Sequence, residues 1–415
     1  MIELPEVRVR MIAFRQHERV ARIWREAEAL AQAGARVEVF LLRREGQPAV
    51  AHPAPGMRVV RPTSLRPDSR KPWKALRGYA AFLGAVDRQP ADVYHCLDGA
   101  TLPLGVFLAR RDDARLVYDA ADYFADHLPA PPSESLIEGV RRRYSANYLW
   151  EMLLIKRADL HVTVSEGLAR LLAARYRLPR KPVVVPNSAA YLRPTDRSRA
   201  LLREAVRGAP NDQIVVFLGS VHQQASDALE GDRRRGLEVL VDAVALVPRT
   251  RLVIIGSAPD EYRSSLLERA RQRGGASRVS FLGSRPYPEY IELASGGDVG
   301  AYLTGARRQS ASYAHTLPNR LFDLVMARVP LIVGSGTATA RIVRDYEIGV
   351  VLDRIDPPGV AAAIEAVTSE EPGKRFRENL ERAAHELCWE KQSVGLLDAY
   401  SELGTRSRAS VSTSS

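Results

Sequence analysis

Apolar positions along the chain recur with two alternating periods. "VRVRMIA" (7–13) reads as a strand, Val20, Ile23, Trp24, Ala27, Leu30 and Ala31 fall at helical spacing with Gly34 as the stop, and "VEVFLL" (37–42) is a second strand. The alternation continues through "ADVYHCL" (91–97), "RLVYDA" (115–120), "DLHVTVS" (159–165) and "PVVVP" (182–186). A polar stretch, "NSAAYLRPTDRSR" (187–199), carries the turn chemistry of a domain boundary. A second series then runs through "IVVFLG" (214–219), "RLVIIG" (251–256), "VSFLG" (279–283), "DVGAYL" (298–303), "PLIVG" (330–334) and "GVVLD" (349–353). Strands of this kind, each separated from the next by a helical stretch, predict two doubly wound α/β domains with parallel sheets. The closing "SRASVSTSS" is small and polar, and residues 405–415 are expected to be a disordered tail.

Composition narrows the class. With 415 residues the chain is too long for one ordinary core, and its 46% hydrophobic and 26% charged residues are typical of a folded globular protein. No apolar run is long enough to span a bilayer, and "MIELPEVRVRMIAF" places Glu3 and Glu6 ahead of any apolar stretch, unlike a secretory leader. A cytoplasmic location is expected. Cys96 and Cys388 have apolar neighbours and no ligand spacing, so reduced, partly buried thiols are expected rather than a disulfide or zinc site. The net charge of +11 raises nucleic acid, membrane and anionic substrates as partners. Most of that charge is Arg scattered along helices, with no nucleic-acid motif. "VRRRY" (140–144) ahead of "SANYLWEMLLIKRADL" leaves a weak membrane-surface contact as a minor reading. A dehydrogenase is excluded because no G-x-G-x-x-G follows an early strand.

In doubly wound sheets ligands bind beyond the carboxyl ends of the strands. Three such loops in the second half read together. "FLGSVHQQASDALEGDRRRGLEVLVDAV" ends a strand at Gly219 and opens a helix at Arg235-Gly236, while "IIGSAP" places Gly256 directly after a strand. In "YAHTLPNRLFDLVMARVPLIV" (313–333), Thr316 is placed to cap, and Pro318 to enter the first turn of a helix bearing Leu317, Leu321, Leu324 and Val325. A helix N-terminus suits a phosphate, and Arg235 and Arg320 could add charge. Taken singly, Asp323 as a solvent-facing helix acid and His315 as an ordinary loop histidine are the plainer readings.

Residues 281–366, from "FLGSRPYPEYIELASGG" to "PPGVAAAIEA", resemble the donor-binding half of the family 4 retaining glycosyltransferases of the GT-B fold. "RRRGLEVLVDAVALVP", "VPN" (185–187), "DLHVTVSEGLARLL", "ADVYHCLDGATLPLG", "LVYDAADYF" and "CWEKQSVGLLDAY" (388–400) resemble other marks of that family. The resemblance implies two Rossmann-like domains facing a cleft. Residues 1–190 would form the acceptor-side domain, completed by a C-terminal helix at about 386–404, and residues 200–385 the nucleotide-sugar domain.

Roles follow from the resemblance by position. Asp323 would accept hydrogen bonds from the ribose hydroxyls, and Arg235 with the backbone at Thr316 and Leu317 would hold the diphosphate, helped by Arg320 and by the loops at Gly219, Ser220 and Gly256. His315 would face the donor sugar, and His95 and Asp98 the acceptor, with Arg15 and Asp122 nearby. No metal and no cofactor beyond the nucleotide sugar are implied, since cationic side chains and a helix end can do the work of a metal ion. Departures are visible: His315 stands where the family has Glu, Ser220, Val221 and His222 where a second cation is usual, Ala121 where a histidine follows "VYD", and Leu97 where a second histidine is frequent. The expected function is retaining transfer of a glycosyl group from a UDP- or GDP-sugar, with a slight preference for a small soluble metabolite or thiol as acceptor. The alternatives are a cell-surface polysaccharide transferase and a non-catalytic nucleotide-sugar-binding protein. Acceptor identity and oligomeric state are not encoded in any motif.

Overall fold

The computed structural model describes residues 3–4, 6–16, 21–67, 71–86, 89–125, 146–206, 208–221, 236–304 and 311–405. The expected diphosphate ligand Arg235, the basic run 140–144, His222 and the tail from 406 onward lie outside them. The chain divides into two compact units, one made of residues 1–127, 135–186 and 393–415, the other of residues 128–134 and 187–392.

The first unit holds an eight-stranded sheet. Its strands are β1 (Arg8–Gln16), β2 (Arg36–Leu42), β3 (Val50–Ala51), β4 (Met57–Val60), β5 (Val93–Leu97), β6 (Arg115–Ala120), β7 (Leu160–Thr163) and β8 (Val183–Val184), in the order β3-β4-β2-β1-β5-β6-β7-β8. All pairs are parallel except β3 with β4. Helices on both faces bury the central strands, so Val9, Met11, Ile12 and Ala13 in β1 are all fully enclosed. That explains the apolar run Met11 to Ala13 that closes the segment read there as a strand.

The short strands β3 and β4 were not anticipated. "AVAHPAPGMRVVRP" spreads two brief apolar runs around Pro53, Pro55 and Gly56, and the turn residues mask the period. Register then decides the issue, since Met57 to Val60 align with Val37 to Phe40 along β2.

The second unit carries six parallel strands: β9 (Gln213–Leu218), β10 (Thr250–Ile255), β11 (Val279–Phe281), β12 (Val299–Tyr302), β13 (Leu331–Gly334) and β14 (Gly349–Leu352), in the order β11-β10-β9-β12-β13-β14. Successive side chains of β9 alternate between two cores: Ile214, Val216 and Leu218 pack on one face, Val215 and Phe217 on the other. Gly300 gives β12 its close helix contact, because a Cβ there would stand 2.7 Å from Leu324. Both units are therefore α/β domains with parallel sheets, as the alternation of periods predicts. Among the described residues no helix is long and apolar enough to cross a membrane.

Candidate active site

In the second unit the carboxyl ends of the strands gather the expected donor residues. Gly219 follows β9 with φ of 100°, and Gly256 follows β10 so closely that a Cβ on it would lie 2.3 Å from the Gly219 carbonyl oxygen. Backbone bonds from Gly219 N–H to Ile255 O (2.9 Å) and from Val221 N–H to Ser257 O (2.7 Å) hold the two loops together. Ser257 Oγ donates to Ser220 Oγ at 2.8 Å, so Ser220 is part of a hydroxyl pair where the family resemblance expects a cation. Gly236, with φ of 70°, caps the helix Leu237–Leu246, and its missing side chain lets the chain pass Leu303 at the end of β12.

The helix Asn319–Met326 brings in Arg320 and Asp323. They are three residues apart, hence on one face, and only 8% and 4% exposed. The plain reading of Asp323 as a solvent-facing acid is thereby corrected. The Arg320 guanidinium lies 4.8 Å from the Phe217 ring centre and 5.4 Å from that of Tyr302, stacked at the ends of β9 and β12.

Thr316 does not cap this helix. Pro318 occupies the N-cap with extended backbone (φ −75°, ψ 148°) and the helix starts one residue later. A proline pushes the residue before it out of helical geometry, so the chain cannot wind through Leu317. Thr316 N–H instead donates to Ser312 O, closing the short helix Ala311–His315, and His315 is its half-buried last residue. Asn187 Nδ2 donates to Leu317 O at 3.3 Å, which ties the front of the Asp323 helix to the start of this unit.

In the first unit, Arg15 near the end of β1, Asp98 after β5 and Asp122 after β6 meet at the carboxyl edge of three neighbouring strands. Arg15 Nη2 lies 2.5 Å from Asp98 Oδ2, and Nε donates to the same oxygen at 2.7 Å. Asp98 has φ of 67° and ψ of 152°, a strained conformation for a residue with a side chain. The turn is held by its surroundings: Ala100 N–H donates to Asn147 Oδ1 at 2.8 Å, and Gly99 lies so close to the Asn147 carbonyl that no Cβ would fit. Burial outweighs the attraction of Arg15, and the neighbouring Asp122 adds repulsion, so the Asp98 carboxyl is pushed up to about 6. Such a group can hold or release a proton near neutrality.

His95 does not join this edge. It lies within β5, fully buried, with Nδ1 2.7 Å from Tyr400 Oη on the C-terminal helix and Nε2 3.7 Å from Glu26. Burial lowers its pKa to about 4, so the ring is neutral at ordinary pH. The expected contact between His95 and an acceptor is corrected accordingly: an interior imidazole touches no substrate.

Around it the sequence reading missed a polar network. Arg22 is forked onto Asp119 (2.5 and 2.9 Å), lies 2.9 Å from Glu26 and donates to Val185 O at 2.6 Å. Burial drives the Glu26 carboxyl upward against the pull of Arg22. Glu26, His95 and Asp119 bring ligand atoms within 4.8 Å of one another, a spacing a cation could use, but Arg22 already supplies the positive charge there. The visible signal was Arg22 and Glu26 at i,i+4 among the apolar positions of the first helix.

The chain matches two family models, a glycosyl transferase 4-like domain over residues 20–188 and glycosyl transferases group 1 over residues 212–370. Together they take in most of the sequence, the first match ending at residue 188, close to the division between the units at 186/187, and the second lying within the second unit. The chain belongs to the family 4-like glycosyltransferases. It is 26% identical over 392 residues to a D-inositol 3-phosphate glycosyltransferase of Geodermatophilus obscurus, covering 89% of this chain and 81% of the relative. Among solved structures it resembles a sucrose-phosphate synthase from Thermosynechococcus elongatus (TM-score 0.73, 17% identity, covering 96% of this chain and 100% of that one). It also resembles Anabaena HepE in complex with UDP and glucose (TM-score 0.71, 15% identity, covering 96% and 100%). The GT-B fold is common to this glycosyltransferase and those structures.

Proposed function

We propose that this glycosyltransferase moves a glycosyl group, with retention of configuration and without a metal, from a nucleoside-diphosphate sugar to a small soluble acceptor. The observation that carries the reading is the buried Arg320 and Asp323 pair on one helix face, in the unit whose strand ends Gly219 and Gly256 open a close-packed backbone cradle. A buried carboxylate can accept hydrogen bonds from a ribose diol, and a guanidinium stacked at the strand ends offers charge to a diphosphate. In the step, the bond from the anomeric carbon to the β-phosphate oxygen breaks. The acceptor oxygen bonds to that carbon from the same face, and its proton passes to the departing phosphate.

UDP and UDP-glucose are the ligands named for Anabaena HepE, which supports a uridine donor. The relative named for D-inositol 3-phosphate supports a small polar acceptor. Asp98, held near neutrality beside Arg15, is the group proposed to meet that acceptor, and His315 the one proposed to face the donor sugar.

Calorimetric titration with UDP, GDP, ADP and dTDP tests the donor half. One nucleotide should bind, and Asp323→Ala should weaken it by about 2–5 kcal/mol, since buried hydroxyls lose their acceptor. Equal affinity in the variant removes Asp323 from the site; absence of binding by all four removes the donor reading.

A further inference from the structure

At the amino ends of the strands of the second sheet, where Asp298 leads into β12, lies a cavity of about 240 Å³ lined by Arg199, Arg203, Arg328 and Arg377 with Asp298 and Glu381. Four guanidiniums face two carboxylates. Both acids are already engaged: Asp298 Oδ2 accepts from Arg203 Nη2 (3.1 Å) and Ile214 N–H (2.8 Å), and Glu381 accepts from Arg328 Nε (3.0 Å). Arg203 spends its Nη1 on the Asp212 carbonyl at 2.7 Å.

The other three arginines retain donors. Arg328 is 3% exposed and directs Nη1 to the Leu192 and Met326 carbonyls (3.0 and 2.6 Å), yet its Nη2 is buried with no hydrogen-bond partner. Among the described residues Arg199 has only an exposed aspartate, Asp196, at 3.8 Å, and Arg377 makes no ion pair. The backbone does not compete, because Gly296 and Gly297 N–H groups already donate to Leu293 and Ala294 carbonyls. An unsatisfied buried guanidinium nitrogen is costly, and a second and third cation beside it raise the cost unless an anion is shared.

We propose that this cavity binds a phosphate group, held by Arg199 and Arg377 at the mouth, with the buried Arg328 adding its charge from behind. A tetrahedral dianion matches the surplus of two charges and the forked geometry of guanidinium donors. The space is many times that of one water, enough for the phosphate of a small ester as well as for the free anion. Because Arg328 closes the end of the Asp323 helix, occupancy would brace the element that carries the proposed donor acid. The site stands independently of the donor reading.

The test is calorimetric titration of inorganic phosphate into the full chain at ionic strength fixed with sodium chloride, with and without saturating UDP. Saturable binding that UDP does not displace is expected, with Arg199→Gln and Arg377→Gln each weakening it about tenfold or more. Asp323→Ala should leave it unchanged. Both arginines are surface side chains, so the variants keep the fold, which a matching melting midpoint verifies. Glycerol 3-phosphate in parallel separates the two sources: tighter binding than inorganic phosphate assigns an ester, weaker binding the free anion. Heats that do not saturate, binding displaced by UDP, or binding retained in both arginine variants overturns the proposal.

Discussion

Replacing Gly256 by alanine probes how closely the two loops of the candidate donor site must approach. The new Cβ would lie 2.3 Å from the Gly219 oxygen, 2.4 Å from its carbonyl carbon and 3.0 Å from Ser220 N. Non-bonded heavy atoms rest at about 3.5 Å, so the ends of β9 and β10 must part by roughly 1 Å. The bonds that join them, 2.9 Å from Gly219 N–H to Ile255 O and 2.7 Å from Val221 N–H to Ser257 O, cannot both survive that movement. Overpacking of this kind costs about 1–3 kcal/mol, and each kcal/mol lowers the melting midpoint of a unit this size by about 2–4 °C. A 1 Å displacement of a phosphate cradle also reduces nucleotide affinity, by about tenfold or more if the loops touch the ligand. Calorimetric melting and nucleotide titration read the two effects separately. Gly84→Ala is the control: it lies in the helix Pro72–Val86, nothing approaches within 4 Å of its would-be Cβ, and alanine there should stabilise slightly. If Gly256→Ala melts and binds like the parent chain, the close approach holds neither the fold nor the ligand.

Other perturbations address the first unit. Arg22→Met leaves Asp119 and Glu26 buried without their cation, and urea unfolding should show a loss of about 3–5 kcal/mol; a loss under 1 kcal/mol would mean water reaches the cluster. Tyr400→Phe removes the 2.7 Å bond to His95 and should cost about 1 kcal/mol, with a double-mutant cycle against His95→Phe giving less than the sum of the singles. The Asp98 carboxyl has its folded pKa raised to about 6, so it favours the fold below its unfolded value and loses that contribution as pH rises through 6. If transfer needs the ionised form, the rate rises through that same pH. Arg15→Ala, by removing the attraction that lowers this pKa, should move the midpoint of the pH-rate profile upward, and an unmoved midpoint assigns the titration to another group.

Strand positions were the most legible feature, because parallel strands buried on both faces appear as apolar runs whatever their neighbours do. The expected runs at 115–120 and 214–219 coincide with β6 and β9 almost residue for residue. What escaped was set by long-range partners. The strand β4 exists because β2 offers an open edge, and no local period announces that. The front of the Asp323 helix was misplaced by a single local rule: Thr316 is a good cap by type, but the proline two residues on determines where winding can begin.

The contrast between His95 and Asp98 shows which part of the acceptor-side reading could have been sharper. Both follow "VY" in one short segment and both were assigned to the same edge, yet β5 ends at Leu97. A polar residue inside a strand enclosed on both faces must be satisfied within the core, whereas the first residue beyond the strand is where the sheet meets its ligand. His95 accordingly pairs with Tyr400 and sits among Arg22, Glu26 and Asp119, four chain segments that no spacing rule links. Asp98 alone turns out at the edge, and the strained backbone there persists because Asn147 and Arg15 fix it from outside the strand. Strain maintained by two independent partners, at the residue whose carboxyl is also held near neutrality, is consistent with the proposed role of Asp98 in meeting the acceptor.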